Sequence, residues 1–132
     1  MKTVIDIKDD VYNVIKGSAL DEEATGKLCK SSKRPANSDK EDIVISVIGN
    51  NVSQMQEAFV YVNIYVKDNI RDGEAEINDT RCRELCRLAS DLLEVHNGGS
   101  FRITLVEQTT PPVNGKDEHF IKNKILYQYC NE

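Results

Sequence analysis

The chain has no tryptophan, only three prolines, two histidines and 6% aromatic residues in 132 positions. No apolar run approaches the ~20 residues that a membrane span needs. The opening segment, Met1-Lys2-Thr3-Val4-Ile5-Asp6, turns acidic at once and lacks the apolar stretch of a secretory signal, so the expectation is a chain that stays in the cytosol. The four cysteines (Cys29, Cys82, Cys86, Cys130) form no CxxC pair and are expected as reduced thiols. There is no Walker loop. Gly98-Gly99 is followed by no helix start and makes no phosphate cradle. Neither His96 nor His119 has a neighbouring nucleophile that marks a triad. A net charge of −5 argues against nonspecific nucleic-acid binding, which depends on neutralising phosphates. The basic clusters Lys27, Lys30, Lys33, Arg34 and Arg81, Arg83, Arg87 lack interleaved aromatics and read as solvated faces. Asp21-Glu22-Glu23 reads as a solvated acidic loop. No catalytic, cofactor-binding or metal-binding residue is assigned.

What is present is one strongly two-faced strand. In Ala58–Val66, alternation puts Val60, Val62, Ile64 and Val66 on one side and Phe59, Tyr61, Asn63 and Tyr65 on the other. The aliphatic stripe suits a helix-covered core. The phenolic stripe suits a second layer or a partner protein, because a tyrosine buries its ring while its hydroxyl stays wet. The chain has little left to build a second layer, which favours the partner; the alternative is a strand buried on both faces within one subunit.

The remaining elements follow from periodicity. Val4, Ile7, Val11, Val14 and Ile15 recur at helical spacing from Thr3 to Lys16, with Thr3 as N-cap, Asp6 three residues on, and Gly17-Ser18 as the end. Ser18 to Lys40 is polar and irregular, with Gly26–Lys30 as a possible edge strand. Ile43–Ile48 is a β-branched run typical of a buried strand. With the two-faced strand it predicts a hairpin whose tip is a polar loop from Gly49 to Glu57. Asp68 to Asn78 is polar, with a turn at Asp72-Gly73. From Asn78-Asp79 to about His96, Cys82, Leu85, Cys86, Ala89, Leu92, Leu93 and His96 mark a long amphipathic helix, with His96 in its last turn complementing the helix dipole. Cys82 and Cys86 read as small core residues and not as zinc ligands, since a structural site needs four donors. Phe101–Val106 and His119–Cys130 are strands around a Pro111–Gly115 loop. The result is one α+β domain over residues 1–132, a mostly antiparallel sheet with helices on a face, in the order α-β-β-β-α-β-β.

In sequence order, the opening helix, the loop-to-strand segment "KRPANSDKEDIVISVIG", the strand "AFVYVNIYVKD", the helix "DTRCRELCRLASDLLEVHNGG" and the closing hairpin resemble the tail terminator (tail completion) proteins of long-tailed bacteriophages and prophages. The resemblance runs over nearly the whole chain as a pattern of elements. It implies a ring, commonly hexameric, that caps the tail tube and meets the head–tail connector, made in the host cytoplasm and then part of the virion tail, with no cofactor, no membrane and no sequence-specific nucleic acid. Phe59, Tyr61 and Tyr65 are then candidates for the subunit interface. The polar segments Ser18–Lys40 and Gln108–Glu118, with Lys33, Arg34, Pro35, Pro111 and Pro112, become loops that contact tube or connector. The alternative is a small cytosolic α+β enzyme or ligand-binding domain whose site assembles from distant residues, with Glu118, His119 and a cysteine in one pocket.

Overall fold

The computed structural model describes residues 1–31 and 33–131. Helix α1 (Val4–Ile15) starts at a capping box: Thr3 Oγ1 accepts from the Asp6 amide (3.1 Å), and the Thr3 amide donates to Asp6 Oδ2 (2.9 Å). Its apolar stripe, Ile7, Val11 and Ile15, is fully buried. A short helix α2 (Ala19–Glu23) and strand β1 (Leu28–Cys29) lead to β2 (Ile43–Asn51) and β3 (Met55–Lys67). A small hairpin, β4 (Asn69–Arg71) and β5 (Glu74–Glu76), precedes helix α3 (Asp79–Leu93). Strands β6 (Val95–Asn97), β7 (Phe101–Thr109) and β8 (Glu118–Cys130) close the chain.

Six strands form one sheet in the order β1-β2-β3-β8-β7-β6, antiparallel throughout except for the β1–β2 pair; β4 and β5 pair only with each other. Strands β3 and β8 lie at the centre, paired from Met55↔Cys130 to Lys67↔Glu118. Helix α1 packs on β2, and α3 packs on β3, β8 and β7. The face beneath them is the core: Ala58, Val60, Val62, Ile64 and Val66 of β3 and Ile121, Ile125 and Tyr127 of β8 meet Leu85, Ala89 and Leu93 of α3. Fully buried Asn123 fits this apolar face because its polar atoms are matched: Nδ2 donates to the Val62 carbonyl (3.0 Å), and Oδ1 accepts from Gln108 Nε2 (2.7 Å). The α+β class and the antiparallel layout expected from sequence are therefore present.

Several local expectations are corrected. Asp21-Glu22-Glu23 is not a loop but most of α2, capped by Ser18 Oγ accepting from the Asp21 amide (3.3 Å). The wide Gly49–Glu57 loop shrinks to Val52–Gln54, because β2 and β3 stay paired out to Asn51↔Glu57 across an irregularity between Val47 and Gly49. The turn expected at Asp72-Gly73 is present, with left-handed φ values of 52° and 77° that suit an Asp-Gly pair, but the polar segment around it forms the β4–β5 hairpin. Helix α3 stops at Leu93, so His96 is not in a helical last turn. It sits in β6 opposite Ile103, with its ring stacked on Phe101 at 6.4 Å. Val95, His96 and Asn97 are weak helix formers, and the Gly98-Gly99 turn gives them an antiparallel partner in β7. At the other end of β7, Gln108 and Thr109 belong to the strand, and Glu118 opens β8 as a buried residue.

Candidate functional site

Strand alternation builds an outer sheet face opposite the helices. From β3 it presents Phe59, Tyr61, Asn63 and Tyr65, and from β8 it presents Phe120, Lys122, Lys124 and Leu126, aligned as Tyr65↔Phe120, Asn63↔Lys122, Tyr61↔Lys124 and Phe59↔Leu126. No helix covers it. Phe59 is 41% exposed, and Val95 at the far edge is 52% exposed. Lys122 Nζ lies 4.4 Å from the Tyr61 ring centre, and Lys124 Nζ lies 4.6 Å from that of Phe59. These are cation–π distances, and they hold two ammonium groups flat over an aromatic surface. Asn63 Oδ1 is enclosed on this face with no hydrogen-bond partner among the described residues.

One end of the face is closed by an arginine. The Arg34 guanidinium stacks on Tyr65, 3.9 Å from the ring centre. It grips Glu118 with two bonds, Nη1 to Oε1 (2.6 Å) and Nη2 to Oε2 (3.0 Å), and reaches Asp42 Oδ2 through Nε (3.0 Å). Asp42 and Glu118 are 1% and 2% exposed, so the planar fork matches two carboxylates that have almost no water. Ser38 Oγ and the Lys27 amide also donate to Asp42 (2.6 and 2.8 Å), and Lys116 Nζ donates to the Ser38 carbonyl (2.7 Å). Gly26 is required beside this cluster, since a Cβ there would lie 2.5 Å from the Asp42 amide nitrogen.

This arrangement decides where the sequence-predicted residues go. The Lys33–Pro35 and Pro111–Pro112 loops are brought to the same end of the sheet, Pro111 accepting from the Phe120 amide (3.0 Å) and Pro112 bridging to His119. Lys33, Pro35 and Pro112 are exposed there. Arg34 points inward: its side chain is 14% exposed and its donors are taken by the chain's own carboxylates, so it holds the loop in place and is not a group offered outward. Tyr65, half-buried under Arg34, likewise serves the closed end. Phe59 and Tyr61 stand on the open part. Alternation along the last strand already separates Phe120, Lys122, Lys124 and Leu126 from Ile121 and Ile125 in the sequence, but that they lie beside Phe59 and Tyr61 follows only from the pairing of β3 with β8.

Burial pushes the Asp42 carboxyl up, but the bonds from Ser38, Lys27 and Arg34 outweigh it and leave the group below the ordinary carboxylate range. A carboxyl more acidic in the folded state stabilises above its unfolded pKa and loses that contribution as pH falls through the folded value. The stability difference between wild type and Asp42→Asn is therefore expected to be largest near pH 7 and to shrink below about pH 4. Urea unfolding at stepped pH measures it, and a constant gap down to pH 2 contradicts it.

Other chemistry-bearing groups are dispersed. Glu118 and His119 are successive residues on β8 and face opposite sides, with His119 Nδ1 2.6 Å from Asp68 Oδ1, so they do not share a pocket. Burial raises the Cys82 thiol to about 11, which keeps it protonated at neutral pH. No group of three His, Cys, Asp or Glu among the described residues is placed to hold a metal. A depression of about 470 Å³ beside the Arg34 cluster, lined by Gly26, Pro35, Asn37 and Asp42, lies open to solvent.

No family profile and no curated protein sequence matches the chain. In three dimensions it is similar to a chain of a solved structure described as the virion of a native gene transfer agent particle, with a TM-score of 0.62 over 95% of both chains at 12% identity. At that identity, what the two share is the fold.

Proposed function

We propose that this protein is a structural subunit of a phage-like tail, and specifically a ring-forming tail terminator that caps the tube and meets the head–tail connector. The observation that carries this reading is the outer sheet face: two central strands present Phe59, Tyr61, Phe120 and Leu126 on a side that the chain's own helices leave open. Phe59 is exposed and the other three are half-buried, with Lys122 and Lys124 lying over the rings, and aromatic side chains left at the surface in this way suit a contact with another protein. The likeness in fold to a chain of a gene transfer agent virion supports a particle component. The finer reading as a tail terminator rests on the resemblance of the sequence to that family. In this reading the work is done by burying surface between copies, and six copies closing a ring is the expected stoichiometry.

The test is the assembly state, with and without a tail tube protein. Wild type is expected to give closed annuli by negative-stain microscopy. Tyr61→Asp, placed on the open part of the face, is expected to remain a folded monomer by light scattering after gel filtration, since it removes the ring from the contact and engages Lys122 and Lys124 within the same chain. Wild-type protein that stays monomeric in both conditions overturns the reading.

A further inference from the structure

The β4–β5 hairpin stands apart from the main sheet. Every residue from Asn69 to Glu76 is exposed, and among the described residues the two strands pair only with each other. A lone two-stranded hairpin is marginal in water, yet this one has a well-matched Asp72-Gly73 turn that gives it a defined shape. Its composition is one-sided: three carboxylates (Asp72, Glu74, Glu76) against one guanidinium (Arg71), with Ile70 58% exposed. Arg71 pairs with Glu76 across the hairpin at 3.4 Å, which leaves Asp72 and Glu74 at the tip.

The outer sheet face is its complement. Among the described residues Lys122 and Lys124 form no ion pair, and beneath them lie the apolar rings of Tyr61 and Phe59. We propose that the β4–β5 arm of one copy docks on the outer face of the next, its acidic tip against Lys122 and Lys124 and Ile70 against the rings. The contact must be between copies. Lys122 and Lys124 are aligned with Asn63 and Tyr61, six and eight residues back from the root of the arm at Asn69, runs of ~20 and ~27 Å, whereas a three-residue strand reaches only ~10 Å. Arm and face are different surfaces of one chain, so the contact is head-to-tail and closes into a ring when the rotation between copies is right. A stable interface buries about 800 Å² per partner, more than so small an arm supplies. The arm therefore fixes register and orientation within a larger contact. This inference rests on the ring reading and names its partner surfaces.

The experiment places a photoreactive benzoylphenylalanine at position 70 of the full chain and irradiates the assembled protein. Cross-links from position 70 to segments 59–61 or 122–124 of a second copy are expected. Alongside it, Glu74→Lys and Lys124→Glu are each expected to raise the concentration needed for assembly about tenfold or more, and the two variants mixed, or combined in one chain, are expected to recover it. Both sites are at the surface, and circular dichroism verifies the fold. If wild type assembles while position 70 cross-links elsewhere, or to the tube protein, or while Glu74→Lys assembles normally, the arm proposal is overturned and the ring stands. A wild type that is monomeric with and without tube protein overturns both.

Discussion

Arg34→Ala is expected to lower the unfolding free energy by about 3–5 kcal/mol, the range for removing one partner of a buried ion pair. The reason lies less in the attraction lost than in what remains. Asp42 and Glu118, both nearly without solvent, would be left without the guanidinium that bonds to both. Lys116, at 3.5 Å from Glu118 and 43% exposed, is too distant and too hydrated to replace it. Arg34→Lys is expected to recover only part of the loss. An ammonium supplies charge but can neither hold Glu118 through two parallel bonds nor stack flat on Tyr65. Urea unfolding of the three proteins measures the order wild type, lysine, alanine; an alanine variant within 1 kcal/mol of wild type would show that the cluster is not a structural clamp. Because Arg34 roots the Lys33–Pro35 loop, the alanine variant is also expected to increase proteolysis there.

The second large effect separates the two faces of one strand. Ile64→Ala is expected to cost about 2–5 kcal/mol, through lost burial and the cavity left under α3. Ile64 is fully buried, with Ile43 beside it in β2 and Ile121 in β8, and no neighbour can relax into the space without breaking the register of the central strands. Assembly at a temperature where the variant is folded should be unchanged. Tyr61→Asp, three positions earlier and on the opposite face, is expected to do the reverse, with little loss of stability and loss of assembly. Thermal unfolding and light scattering on the same samples measure both. An Ile64→Ala variant that dissociates while fully folded, or a Tyr61→Asp variant that unfolds, breaks the division of labour between the faces.

That division also places the functional reading in physical terms. A six-stranded sheet with helices on one side leaves the other side to be covered by something else. Here the chain covers only one end of it, with Arg34 and its loop, and leaves Phe59 and Tyr61 under two lysines. Charged side chains lying on rings keep such a face soluble while it waits, since their heads remain in water and their stems shield carbon. They also leave two cationic groups free for a carboxylate-bearing partner, the role proposed above for the β4–β5 arm.

Much of this was legible in the sequence wherever a local rule had no competitor. The Thr3–Asp6 box set the start of α1, the period-two alternation of Ala58–Val66 separated core from outer face, and the apolar stripe from Cys82 to Leu93 defined α3. Errors came where short segments were decided by distant partners. Val95 and His96 continue a helical pattern on paper but pair with β7. Gln108 and Glu118 look like loop residues until Asn123 and Arg34, respectively, satisfy them. Ser18-Ala19-Leu20-Asp21 carried a legible capping signal that its acidic surroundings obscured.

Sequence alone determined which side of each long strand and helix is apolar, because side-chain period is a property of the backbone and needs no knowledge of neighbours. Tertiary structure alone decided that Arg34 turns inward. The fate of a charged side chain depends on whether carboxylates 8 and 84 residues away converge on it, and no local pattern encodes that meeting.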